Sequence, residues 1–239
     1  MPKDTFFNLP EDKRALICQV AIDEFAAHSF DQASINRIVA RSGIAKGSFY
    51  QYFENKRELF LYLVQLAADE KLNYLAPVMR NPEQHDFFTL LRELYLSGIQ
   101  FAVEHPQYAE ISKKLLASKG TPIYEEVVDE SMPIAYEFFE TLLENAIRRG
   151  EVRADIDVRM LAYLTAALNA LVLEYYTEHI AQDYDERMLA TIDQFIDFLR
   201  RGIGEKGAAF ETGSNETQLF AKGSHSEGVS SWMSSKSTI

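Results

Sequence analysis

Apolar residues recur at spacings of three and four through almost the whole chain, and no segment alternates apolar and polar residues as a half-buried strand would. That pattern restricts the chain to helices packed on helices. Ile17, Val20, Ala21 and Phe25 share one face of a helix expected over about 11–28, and Ile35, Ile38 and Val39 mark a short second one. A third short helix is expected over about 45–52. A long fourth follows Asn55 over about 56–79, carrying Leu59, Leu63, Leu66 and Ala67, with Pro77 in its last turns. Ser34 suits an N-cap, and Gly43 suits a helix stop because glycine adopts positive φ without strain. Further helices are expected over about 84–104, 106–118, 122–149, 158–181 and 184–201. Pro106 and Pro122 suit first turns, Pro133 should kink or split its helix, Gly150 follows the cationic end Arg148-Arg149, and Asp157 should cap the next helix. The expected fold is all-α with about nine helices.

With 239 residues, 47% of them hydrophobic and 25% charged, the chain can bury a substantial core in one large or two compact units. Its net charge of −12 is unevenly spread: residues 61–201 hold 13 basic and 24 acidic side chains, whereas 1–60 hold eight of each. Within 32–57, Arg37, Arg41, Lys46, Lys56 and Arg57 face only Glu54. The acidic whole argues against coating nucleic acid or anionic membrane with the entire surface, yet this basic stretch would meet a polyanion. The longest uncharged run, fourteen residues between Arg159 and Glu174, is shorter than the roughly 20 apolar residues needed to cross a bilayer. The N-terminus, with Lys3, Asp4, Glu11 and Asp12, lacks the basic start and apolar run of a secretory signal. A cytoplasmic protein without a membrane partner is expected. Cys18, the single cysteine, reads as a small core residue.

Residues 202–239 hold six of the eleven glycines and eight serines, so 205–239 is expected to be a disordered tail. Gly202, Gly204 and Gly207 have the GxGxxG spacing, but they follow a helix and open low complexity, where a dinucleotide loop must follow a strand. The five histidines, His28, His85, His105, His179 and His225, are scattered, and neither a phosphate loop nor a nucleophile elbow is present. No catalytic residue, metal or cofactor is therefore assigned.

Function concentrates in residues 34–59, SINRIVARSGIAKGSFYQYFENKREL. Two short helices joined by a tight turn at Ser42-Gly43-Ile44, behind a longer amphipathic helix, give the outline of a helix-turn-helix. The second of the two carries Lys46, Ser48, Tyr50 and Gln51 beside the small Ala45 and Gly47, with Lys56 following. Small side chains permit close backbone approach to a groove, while hydroxyls and amines suit phosphate oxygens. On composition alone a solvated helical hairpin is an equally open reading.

The same residues resemble the tetracycline-repressor (TetR) family of bacterial transcription regulators. Its pattern appears as Ser34, Ile38-Val39, Ser42-Gly43-Ile44, Gly47-Ser48-Phe49-Tyr50, Tyr52-Phe53, Lys56 and Leu59. Val39 and Ser42 stand where alanines are usual, and Ser48 and Phe49 where threonine and leucine are commoner. The resemblance implies a DNA-binding domain over 11–71, a regulatory ligand-binding and dimerisation domain over 72–204, and a repressor that leaves a palindromic operator when a small apolar or amphipathic effector binds. It implies phosphate contacts by Tyr50, Lys56, Ser34 and Ser48 on double-stranded operator DNA, with Ala45, Gly47 and Tyr52 in the same surface. Base reading would fall to Lys46 and Gln51, with Asn36 reaching in from the preceding helix. Ile38, Val39, Phe49 and Phe53 read as core, and Arg37 and Arg41 as a solvated face.

Beyond residue 71 the resemblance is architectural. Residues 160–173 are apolar on nearly every face, and 188–199 present Met188, Leu189, Ile192, Phe195, Ile196 and Leu199. Such helices must be covered on both sides, by internal packing or by a four-helix seam between two subunits, which is the expected homodimer. Tyr62, Tyr95, Phe101, Tyr108, Tyr136, Phe139, Tyr163 and Tyr175 are candidates to line an effector cavity, with Asn169 or Glu174 as polar anchors, or else they are simply core. An enzyme and a helical interaction protein without DNA binding are the contrasting classes.

Overall fold

Capping chemistry and chain breakers set the helix ends. The computed structural model describes residues 1–80, 82, 85–181 and 186–204, and among them it forms ten helices and no strand, with one isolated antiparallel bridge between Val152 and Gly204. They are α1 (Asp4–Phe7), α2 (Glu11–Ala27), α3 (Ile35–Arg41), α4 (Lys46–Tyr52), α5 (Lys56–Met79), α6 (Phe87–Glu104), α7 (Pro106–Leu116), α8 (Pro122–Arg148), α9 (Val158–His179) and α10 (Glu186–Ile203). The helix not foreseen is α1. Asn55 Oδ1 accepts from Glu58 N at 2.9 Å at the start of α5, and the Asp157 carboxylate accepts from Arg159 N and Met160 N, both at 3.0 Å, at the start of α9. Pro133 does not split α8. A proline removes a single backbone bond, and the half that follows is held by Phe139, Leu142, Leu143 and Ala146, all buried.

Contacts divide the described chain into two compact units that do not follow chain order: Met1–Glu70 with His105–Glu125, and Lys71–Glu104 with the residues from Glu126 onward. In the first unit, α7 packs along α2 through buried Ile111, and the core gathers Ile17, Cys18, Ala21, Phe25, Ile38, Phe49, Phe53, Leu59, Phe60 and Leu63. Burial pushes the Cys18 thiol up to about 12, the behaviour of an inert core residue. The second unit packs α10 against α6 and α9 over Phe87, Phe88, Leu90, Leu143, Tyr176, Met188, Ile192 and Ile196. Asp86 accepts from Phe88 N at 3.0 Å and Thr89 N at 3.2 Å at the head of α6. Arg200 reaches the same carboxylate at 3.2 Å while lying 4.6 Å over the Phe88 ring.

One expectation about the last helices needs correction. Met188, Leu189, Ile192, Ile196 and Leu199 are covered within the second unit itself, so this face of α10 is not available to a partner. The stripe satisfies the core of its own chain, and among the described large apolar side chains of α10 it is Phe198 that stays exposed, at 66%. On α9, Met160, Tyr163, Leu164, Leu171 and Tyr175 remain exposed. The expected tail, 205–239, lies outside the described residues.

Ile192→Asp should accordingly unfold the second unit rather than separate a pair of folded chains, because an unpaired charge in this core costs several kcal/mol, on the order of 3–5. Thermal denaturation with light scattering checks this; a well-folded Ile192→Asp monomer would contradict the placement.

Candidate nucleic-acid interface

The turn between α3 and α4 is built by Gly43. Its φ of +65° lets Ile44 N donate to Val39 O at 3.1 Å, while Ser42 Oγ donates to Ile38 O at 2.7 Å, so the end of α3 closes on itself. Phe49 and Phe53 then point inward with no exposed surface, beside buried Ile38 and Val39. Helical geometry turns the opposite face of α4 outward. Ala45, Lys46, Gly47, Tyr50 and Gln51 are exposed there, Tyr50 at 44%, and Asn36 is exposed on α3. Lys46 and Tyr50, like Gly47 and Gln51, are four residues apart and form adjacent rows on one face.

Ser34, Ser48, Tyr52 and Lys56 are only half-buried. Ser34 stands at the N-cap position of α3, but its side chain makes no cap bond; its amide instead donates to Glu24 Oε1 at 2.9 Å. Lys56 Nζ donates to Asp31 O at 3.1 Å and Ala33 O at 3.0 Å and sits 4.7 Å over the Phe30 ring. An ammonium has three N–H groups, so Lys56 can both tie the loop before α3 and offer one donor outward.

Arg37 and Arg41 are not merely solvated. Arg37 Nε donates to Glu24 Oε1 at 2.8 Å and its Nη2 to Gln32 O at 2.8 Å, and Arg41 Nη2 lies 2.9 Å from Asp23 Oδ2. Glu24 is the residue that sequence reasoning missed: it is 2% exposed and fastens α2 to the start of α3. Burial alone would raise its carboxyl, but the bonds from Arg37 and from the Ser34 amide outweigh this and hold it below the ordinary value.

The effector candidates do not all come together. Tyr108 belongs to the first unit, 6.0 Å from the His105 ring, whereas Tyr95, Phe101, Tyr136, Phe139, Asn169 and Glu174 belong to the second. There Tyr95, Phe101 and Phe139 are buried, and Tyr136 packs 5.0 Å from Tyr163. Tyr95 Oη and Thr165 Oγ1 are buried without a hydrogen-bond partner. Among the described residues, no group of three His, Cys, Asp or Glu side chains is placed to hold a metal ion.

Residues 17–63 match the model of the family described as bacterial regulatory proteins, tetR family. The chain is 33% identical to a TetR family transcriptional regulator from Chloroflexus aurantiacus; the match covers 86% of this chain and 100% of that one, with a TM-score of 0.61. It is 25% identical over 191 residues to the probable acrEF/envCD operon repressor of Escherichia coli K12, covering 77% of this chain and 84% of that protein. The fold also matches SmeT, the repressor of the Stenotrophomonas maltophilia multidrug efflux pump SmeDEF, in its triclosan complex. The TM-score there is 0.64 at 21% identity, over 91% of this chain and 98% of that one.

Because the Glu24 carboxyl is held low in the folded state, its contribution to stability is complete above about pH 4.5 and is lost as pH falls through its lowered value. Glu24→Gln should cost about 1–3 kcal/mol at pH 7 and flatten the fall in melting temperature between pH 5 and about pH 3. Parallel melting curves for the two proteins across that range would show that Glu24 does not carry the α2–α3 link.

Proposed function

The chain belongs to the tetR family of bacterial regulatory proteins, and from that premise we propose that it is a repressor that binds an approximately palindromic operator as a homodimer and leaves it when a small apolar or amphipathic ligand binds. DNA binding is assigned to residues 11–71 and regulation with dimerisation to 72–204. The observation that carries the reading is the exposed row Lys46, Tyr50 and Gln51 on a helix whose other face, Phe49, is fully buried. A reading helix must present donors outward while its backbone is fixed from behind. Lys46 and Gln51, with Asn36, take the base edges. Tyr50, Ser34, Ser48 and the outward donor of Lys56 take phosphate oxygens, while Ala45, Gly47 and Tyr52 shape the contact surface.

For the dimer, Met160, Leu164, Leu171 and Tyr175, at intervals of four, seven and four residues, fall along one face of α9, and Phe198 is exposed on α10. By length and composition α9 is also apolar enough to cross a membrane, with 24% of its apolar window buried. We assign its cover to a second copy, in a cytoplasmic protein. For the effector, buried and unpartnered Tyr95 Oη and Thr165 Oγ1 supply polar handles in a largely apolar core, alongside Phe101, Tyr136, Phe139, Asn169 and Glu174. A small-molecule effector is in keeping with the triclosan complex of SmeT.

Selection of duplexes from a random library by the purified protein tests the reading. Lys46→Ala or Gln51→Ala should relax preference at defined operator positions, each at a cost of about 1–3 kcal/mol. Equal losses on selected and random duplexes would remove them from base reading. Leu171→Asp should yield folded monomers with at least tenfold weaker operator binding, about 1.4 kcal/mol or more. A dimer persisting by light scattering would move the interface away from α9.

A further inference from the structure

Helix α4 ends without a cap of its own. Its C-cap residue Phe53 has φ −131°, extended rather than left-handed, so no glycine-type closure follows. Of the last four carbonyls, only Phe49 O is reached by a downstream amide, Phe53 N at 2.8 Å. The other three are met by the N-terminal segment. Lys3 N donates to Tyr52 O and Lys3 Nζ to Tyr50 O, both at 2.9 Å, and Thr5 Oγ1 donates to Gln51 O.

Burial fixes the segment that supplies these donors, since a four-residue helix such as α1 has no stability of its own. Pro2 and Phe6 are buried, and the Phe6 ring lies 4.8 Å from Phe53 and 5.6 Å from Tyr62. The Lys3 ammonium also stands at the negative end of the α4 dipole. Tyr50 and Gln51 therefore have their carbonyls held from one side while their side chains are exposed on the other.

We propose that Lys3 and Thr5 are positioning residues for DNA recognition: they close the carbonyl end of α4 and hold Tyr50 and Gln51 in a fixed attitude toward the duplex. This rests on the DNA-binding reading above. A frayed last turn still offers its donors to phosphates, which tolerate loose geometry, whereas a base-edge bond needs direction. Loss of the cap therefore falls on operator binding and spares binding to random DNA.

The test uses the full chain with Thr5→Val and Lys3→Met, and with Thr5→Ser and Lys3→Arg as rescues. Amide hydrogen exchange, which needs no DNA, should quicken about tenfold at Tyr52 and Phe53 in the first pair, return in the second, and stay unchanged at Ile17 to Val20. Unchanged exchange at Tyr52 and Phe53 overturns the proposal. On a duplex selected by the unmutated protein, the first pair should bind about tenfold more weakly, with random-duplex affinity and the salt slope preserved. Equal losses on both duplexes with a slope flatter by roughly 2 per dimer would make Lys3 a phosphate ligand instead and sink the positioning role. Equal losses with the slope preserved, or no loss, also overturn it. If the unmutated protein selects no duplex, the DNA-binding reading fails as well; if it does and the variants discriminate equally, only the positioning role fails.

Discussion

Everything at the proposed interface depends on the burial of Phe49 and Phe53. A helix of seven residues is too short to persist by its own hydrogen bonds, because nucleation costs more than so few bonds return. It exists because these two rings, 5.6 Å apart, are taken fully out of water, with the buried Phe6 ring 4.8 Å from Phe53. Full burial of such side chains contributes about 1.5–3 kcal/mol each, far more than helix propensity over one or two turns. The same burial fixes which face looks outward. With Phe49 pinned inside, Lys46, Tyr50 and Gln51 have no other direction to take.

Electrostatics then selects what that face can meet. A protein of net charge −12 repels a polyanion at long range, and only a local reversal of sign allows approach. Three of the five cations within 32–57 are partly engaged internally: Arg37 with Glu24, Arg41 with Asp23, and Lys56 with two backbone carbonyls. Exposed Lys46 is the cation placed on α4 itself, the helix proposed to read the duplex. The acidic remainder of the chain opposes nonspecific wrapping, so affinity has to come from a small, well-shaped surface.

How far the sequence could be read follows from the range of each interaction. Helical periodicity, Gly43, Asn55 and Asp157 act within one or two turns, so the two short helices and their turn are legible from local spacing. Glu24 is buried because an arginine thirteen residues away neutralises it, and Lys56 is tied to carbonyls 23 and 25 residues earlier; neither link leaves a local signature. Helix α1 is shorter than one hydrophobic repeat, and its only signal is the apolar pair Phe6-Phe7 in an otherwise polar start. The aromatic set proposed for an effector shares one spacing but not one place. Tyr108 packs near His105 in the first unit, and which unit a helix joins is decided by tertiary contact.

The contrast between α9 and α10 bears on assembly. In α10 a single stripe is apolar, that stripe is spent on the core of its own chain, and a polar outer face remains apart from Phe198. In α9, Leu161, Ala162, Thr165, Ala166 and Tyr176 are buried inward while Met160, Leu164, Leu171 and Tyr175 face outward, so one helix carries two apolar faces of which one chain covers only the first. Four large side chains left about half in water forgo on the order of 1 kcal/mol apiece relative to full burial, and as one contiguous stripe they mark an interaction surface. In the proposed homodimer a second copy would bring the same stripe at the same spacing, and a two-fold axis would pair the two stripes in one self-complementary interface. On the proposed reading, an approximately palindromic operator would then follow from an apolar stripe on a helix that touches no base.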